Sequence, residues 1–222
     1  MLKPKYTPIS QFHTNQNTTD VLPKCFTVLA WNLHKIDFIH FTHRSINELL
    51  KQSILSHEPH ILSLQEANTL PYQTSFFNQS FVMAPNIQTK ENHYGVLTAS
   101  STIIKPLQQC LTHSREFGWA THKTALITQH KLDNQEILTH INIHSVIFVS
   151  HSVFQRELSK LLHHLDHITG PVIISGDFNT WNKKRTKTLT QATHKFGLEK
   201  VSYSDPRAIK SILKQPLDHI FF

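Results

Sequence analysis

The chain has 222 residues, enough for one sizeable hydrophobic core. Hydrophobic residues make up 39% and charged residues 17%, and no apolar run reaches the length of a membrane-spanning helix, so an ordinary globular domain is expected. The formal net charge is +7, and six of those charges fall in the stretch from Thr180 onward, where nine Lys or Arg face three Asp or Glu. A basic face favours a polyanionic partner such as nucleic acid or an anionic lipid surface, although a solvated helix face explains a charge run just as simply.

Residues 1–24 are rich in Thr, Asn and Gln and read as a polar arm, with residues 25–222 as a single domain. Lys3 and Lys5 have no apolar segment behind them, so no secretory signal is evident. Cys25 and Cys110 make no disulfide framework and read as two buried free thiols, which suits a cytoplasmic location. The run Phe26–Trp31 is β-rich and too short for a helix. Ile46, Leu49, Leu50 and Ile54 recur at helical spacing and predict an amphipathic helix over about Thr42–His57, closed by Pro59. Strands are then expected at His60–Gln65, Tyr94–Ala99, Lys123–Gln129 and Ile137–Ile143, the last with clear polar–apolar alternation. Phe154, Leu158, Leu161, Leu162, Leu165 and Ile168 form the stripe of a second helix, ended by Gly170-Pro171. A short strand at Val172–Ser175, a third helix over Lys184–Phe196 with Gly197 as its cap, and a last strand at Leu217–Phe222 complete the pass. Interleaved strands and helices without internal repeats suggest two packed sheets with helices outside.

The chemistry sits at strand ends. Ser175-Gly176-Asp177-Phe178-Asn179 follows an apolar strand, and its Gly permits a tight turn that presents a carboxylate and an amide two residues apart. Asp and Asn are also ordinary loop residues, so that pair alone is a moderate signal. Gln65-Glu66 ends another strand, and a carboxylate at the edge of a buried strand calls for a partner or a metal. A hard cation such as Mg²⁺ takes one or two carboxylates and keeps several waters. Asn32 ends a third strand, Asn142 and His144 a fourth, and Asp218 opens a fifth. Of 18 histidines, His163 and His167 stand four apart as a zinc pair would, with no third ligand at a matching position. Trp181, just past Asn179, is the better placed of three tryptophans to serve as a base-stacking platform, whereas Trp31 suits the core. Lys183 opens the densest basic run, Lys183–Lys187.

Taken in order, AWN at Asn32, SLQE at Glu66, NIH at His144, SGDFN at Asp177 and Asn179, and LDHIF at Asp218 resemble the endonuclease/exonuclease/phosphatase superfamily, and within it a small bacterial subgroup of undefined substrate. The resemblance covers about Phe26 to Phe222. It implies a four-layer α/β sandwich, two mixed sheets flanked by helices, and Mg²⁺-dependent phosphodiester hydrolysis, with Mn²⁺ as a substitute. DNA or RNA is the foremost substrate class; a lipid or phosphoinositide is the alternative within the enzyme class. It assigns the metal to Glu66 with Asn32 close by, water activation to Asp177, and phosphate contacts to Asn179 and His144. Trp181 and Lys183 join the substrate side on their position. The superfamily also carries a closing strand with a Ser-Asp-His motif, whose His partners the Asp matched here by Asp218. No such segment follows Asp218 within these residues, and His219, adjacent on the same strand, is expected to face away. The expectation is therefore low or no hydrolysis, and the alternative to an active phosphodiesterase is a truncated, weakly active or inactive relative that at most binds polyanions. Composition and motifs are silent on oligomeric state.

Overall fold

The computed structural model describes residues 9–16, 18–35, 44–115, 121–205, 209–212 and 214–222. Ten of its strands build two five-stranded sheets. The first contains β1 (Gln11–His13), β2 (Val28–Asn32), β3 (Ile61–Thr69), β4 (Ser80–Gln88) and β5 (His93–Ser100), in the order β1-β4-β5-β3-β2. The second contains β6 (Lys105–Arg115), β7 (His122–Lys131), β8 (Ile137–His144) and β9 (Val172–Asp177). A small hairpin, β10 (Ser211–Ile212) with β11 (Gln215–Pro216), then leads into β12 (Asp218–Phe221), which completes the order β12-β9-β8-β7-β6. Both sheets are mixed, because β2 runs parallel to β3 and β8 parallel to β9.

Alternation along β8 shows how sequence becomes layers. Ile141 and Ile143 point outward into a core with Phe154, Leu158, Leu162, Leu165, Leu189, Ile174, Phe178 and Phe221. That core is roofed by α2 (His151–Leu162), which runs on into a 3-10 turn (His163–His167), and by α3 (Lys183–His194). Ser150 caps α2 and Asn182 caps α3, each accepting the backbone N–H three residues on. On the far side α1 (Arg44–Leu55) places Ile54 against Leu62, Leu64, Leu97 and Ala99. Each fully buried side chain of this size contributes about 1.5–3 kcal/mol. The result is the expected four layers.

Between the sheets the packing is only partly apolar. Val82, Ala84, Val96, Ile104 and Leu126 cluster there. Beside them Ser175 Oγ donates to Ser63 Oγ at 2.7 Å and pairs with His140 Nε2 at 2.8 Å. Gln65 Nε2 donates to Asn142 Oδ1 at 2.8 Å, and Asn142 Nδ2 donates to Leu97 O at 2.9 Å. Asn142 is thus a fully buried tie between sheets and not a strand-end ligand, because its side chain lies two residues deeper than that of His144.

Other expectations are corrected. Residues 11–16 and 18–22 are no loose arm: β1 pairs with β4, and Leu22 is fully buried; residues 1–8 and 17 of that arm lie outside the described residues. Backbone pairing needs no apolar composition, so the polar sequence concealed it. Cys25 is exposed and Cys110 half-buried, and both are free. The second helix ends at Leu162, with Leu165 and Ile168 packing from the 3-10 turn and its cap. Thr42 and His43 of the predicted first helix lie outside the described residues.

Candidate active site at one edge of the sandwich

Register places the site. His144, Asp177 and Asp218 are direct neighbours across β8, β9 and β12, forming one row. Close approach of β8 and β9 requires Gly176: a Cβ there would lie 2.1 Å from Ile143 O, and its φ is +137°. The Gly of SGDFN therefore serves strand contact as well as the turn. In the first sheet Asn32 pairs with Gln65, and Glu66 follows at a bulge between Leu64 and Ala67. Glu66 has φ 50° and Asn179 φ 52°, both left-handed. Asn tolerates that region; Glu does so at a cost of about 1–3 kcal/mol, and such strain gathers at functional sites.

The two sheets meet through side chains at this edge. Asn32 Nδ2 donates to Asp177 Oδ2 at 2.9 Å, and Asn179 N donates to Asp177 Oδ1 at 2.9 Å, so both oxygens of Asp177 are fixed. Asn179 Nδ2 donates to Ser145 O at 2.7 Å, holding the end of β8. His144 Nε2 lies 3.7 Å from Glu66 Oε1. Burial, followed by the charges of Lys123, Lys210, His34 and Lys35, holds the His144 ring well below its usual pKa, so it is neutral. Burial and the neighbouring charge of Asp177 push Asp218 up to about 7, against a smaller opposing pull from Lys210. Asp218 Oδ1 is buried with no hydrogen-bond partner among the described residues.

The residues named for catalysis thus converge: Asn32, Glu66, His144, Asp177, Asn179 and Asp218 share one edge. His219 points the other way, as strand alternation predicts. Its Nε2 pairs with Thr180 Oγ1 at 2.7 Å and its ring packs against Phe178. Trp181 is half-buried, with the Arg185 guanidinium 5.3 Å above its ring, so a stacking base would have to share that ring. Lys183 is exposed at the start of α3. Arg185, inside the same basic run, is 1% exposed. It donates to Val146 O and Asn179 O at 3.0 Å and to Val149 O at 2.8 Å, and so is no part of a polyanion face. Two lysines outside the motifs also enter. Lys123 Nζ is 4.0 Å from Glu66 Oε1, and Lys210 Nζ is 3.7 Å from Asp177 Oδ2. Lys123 begins a strand and Lys210 lies in irregular chain, so neither carries a spacing signal.

The donor set fits a hard divalent cation. Among the described residues Glu66 makes only long ionic contacts, which leaves its carboxylate lone pairs available. Asn32 Oδ1 accepts His34 N–H at 2.9 Å and keeps a second lone pair. Mg²⁺ needs little more, because it retains waters. Among the described residues no three His, Cys, Asp or Glu stand together as a metal cage, and His163 pairs with Asp166 at 2.5 Å. A zinc site, which needs three or four such ligands, is not assembled there.

Comparison with known proteins agrees with the geometry. A UPF0294 protein of Photorhabdus laumondii is 32% identical over 200 residues, covering 88% of this chain and 73% of its own. A UPF0294 protein of Erwinia tasmaniensis is 30% identical over 199 residues, covering 88% and 70%. Among solved structures, an endonuclease/exonuclease/phosphatase family protein from Leptotrichia buccalis superimposes with a TM-score of 0.64 at 15% identity, over 89% of this chain and 87% of that one. D. rerio TDP2 complexed with a single-strand DNA product gives 0.54 at 16% identity, over 88% and 82%. At such identities these two likenesses speak for the fold. The sequence model of the Endonuclease/Exonuclease/phosphatase family matches residues 29–222, and the chain belongs to that family.

Proposed function

We propose that the chain is a Mg²⁺-dependent phosphodiesterase that hydrolyses nucleic acid by in-line attack of water. The observation that carries this reading is the Asn32–Asp177 hydrogen bond at 2.9 Å, which joins the two sheets at the same edge as Glu66, His144 and Asp218. Glu66, with Asn32 beside it, would hold Mg²⁺, which when bound would supply charge neutralisation at the phosphate and the leaving oxygen. Asp177 orients the attacking water, since Asn32 and Asn179 fix both carboxylate oxygens. Neutral His144 and the remaining amide N–H of Asn179 donate to phosphate oxygens as charge develops in the transition state. Asp218, with a pKa of about 7, is half-protonated near neutrality and suited to proton transfer. Trp181 and Lys183 lie on the flank where a nucleic-acid strand leaves the site.

The nucleic-acid assignment is supported by the +7 charge and by the DNA product held in the D. rerio TDP2 structure. The test is turnover of single-stranded DNA, duplex DNA, RNA, a phosphoinositide and sphingomyelin, with Mg²⁺, Mn²⁺ or EDTA. Metal-dependent cleavage of DNA or RNA that falls at least ~100-fold in Asp177→Asn is the expected result. Cleavage of the lipids alone overturns the substrate class. Polyanion binding without any turnover overturns the enzyme reading and leaves a binding protein.

A further inference from the structure

A cavity of about 280 Å³ lies between the edge strand β6 and helix α2, on the helix-covered face of the second sheet. Its β6 wall includes part of the stretch where that strand breaks register with β7, between Leu111 and Arg115. Cys110, Ile143, Leu158, Leu161 and Phe178 give it apolar walls. The lining also includes His144 and Ser145, so the cavity adjoins the catalytic row. His144 belongs to that row, and Ser145 O accepts the side-chain amide of Asn179 at 2.7 Å. The hydrolysis described above leaves this space unused.

Glu157 of α2 is the charged group buried in this lining, at 7% exposure. Its Oε1 accepts Ser114 N–H at 3.1 Å and the Ser114 hydroxyl at 2.8 Å, with Arg156 Nη2 at 3.9 Å. Its Oε2 accepts one bond among the described residues, from His113 N–H at 3.0 Å. A carboxylate oxygen has two lone pairs, so Oε2 keeps one acceptor position. A buried carboxylate is costly to leave short of donors, so an all-apolar occupant such as a lipid tail suits this cavity poorly. Apolar faces with one carboxylate acceptor match a flat heteroaromatic ring that carries N–H donors on its edge. Adenine and cytosine present an exocyclic amino group there, and a carboxylate accepts from it. Uracil and thymine present a carbonyl oxygen at the same position, which a carboxylate repels.

We propose that this cavity is a base pocket for an unstacked nucleotide beside the scissile phosphate, and that Glu157 selects bases with an exocyclic amino group. This rests on the phosphodiesterase reading above and narrows its substrate to single-stranded or locally unpaired nucleic acid. The first test requires no turnover. In the full chain carrying Cys25→Ser, Cys110 in the cavity wall is the remaining thiol. Iodoacetamide labels it at alkaline pH, because burial pushes that thiol up to about 11. Adenosine and cytidine are expected to slow the labelling, and uridine to require about tenfold more for the same effect, the difference of one hydrogen bond to a charged acceptor. Leu161→Trp, which fills the cavity from α2, should abolish the protection, and Glu157→Gln should erase the preference over uridine. The second test reads turnover with Mg²⁺ on a single-stranded oligoadenylate and on bis(p-nitrophenyl) phosphate, a diester without a base. Leu161→Trp should lower kcat/KM about tenfold more on the first than on the second. Labelling that no nucleoside slows overturns the pocket and leaves the phosphodiesterase reading intact. Uridine protecting as well as adenosine removes Glu157 from recognition and overturns the proposal as stated. Equal losses on both diesters assign Leu161 to packing beneath His144 and overturn it too. Nucleoside protection without cleavage of either diester does the reverse: it sinks the hydrolase reading and supports the base pocket.

Discussion

Arg185 stands in the densest run of positive charge in the chain and faces inward. Its guanidinium donates to three backbone carbonyls that shape the loops after β8 and β9, and it stacks 4.6 Å over Phe154. Only a planar fork of five N–H donors can serve three such acceptors at once. Arg185→Lys is expected to cost about 3 kcal/mol in denaturant unfolding, because buried carbonyls lose donors. An unchanged midpoint would show those carbonyls to be satisfied some other way. Glu66 poses the complementary case. Its left-handed backbone is strained whatever the side chain carries, so Glu66→Gln should leave unfolding within ~0.5 kcal/mol of the parent. The same substitution should weaken Mg²⁺ binding in calorimetry at least about tenfold. Retained affinity would remove Glu66 from the ligand set.

At the scale of elements, Gly176 and Gly197 separate close approach from simple capping. An added Cβ at Gly176 meets Ile143 O at 2.1 Å, whereas at Gly197 nothing lies within 4 Å. Gly197→Ala should cost only about 1 kcal/mol for its positive φ. Gly176→Ala must push β8 from β9, and is expected to lose both stability and the His144–Asp177 juxtaposition; a normal thermal melt for that variant would contradict this account. On α3, Lys183, Lys184 and Lys187 are the exposed cations once Arg185 is removed from the set. Neutralising them should flatten the salt dependence of DNA binding by roughly 0.7–0.9 for each phosphate they neutralise, and an unaltered slope would leave them a solvated face. What can be read in the sequence follows the same physics. β2, β8 and β9 are legible because a buried strand must be apolar or alternate, and the site residues because each interrupts that pattern at its end. β4 is hidden by Pro85, which a bulge before Ile87 accommodates. β6 is an outward-facing edge with irregular register, so no face of it repeats. Lys210 and the inward role of Arg185 escape because a cation's partners are set by tertiary contact, which local spacing does not encode. The last strand is held on both sides: β9 pairs with one, and Glu199 and Val201 bond the other, burying Phe221.

For the molecule as a whole, a polar inter-sheet layer makes stability depend on pH. His130 is held down to about 4 by burial; His140 is held at about 3 by burial and the nearby His130. His219, on the helix-covered face, is held at about 3 by burial and Lys200. In the unfolded chain each takes a proton near 6.5. Below that value the unfolded state binds more protons than the folded one, so the stability these groups carry is complete above about 6.5 and is lost as pH falls toward 4. Asp218 acts oppositely: with a folded value of about 7, it favours the folded state at low pH and loses that contribution as pH rises through 7. Among these four groups alone, three protons against one leave a net uptake of about two on unfolding, or roughly 3 kcal/mol per pH unit at the steepest, and His144, held neutral by burial, adds to the same direction. Urea midpoints measured from pH 7 to 4.5 should therefore fall steeply below about 6.5. Replacing His140 by Gln, which keeps a polar tip for Ser175, should remove about a third of the slope that His130, His140 and His219 together carry. Midpoints that stay level between pH 7 and 5 would mean that water reaches these rings and that the layer between the sheets is not dry.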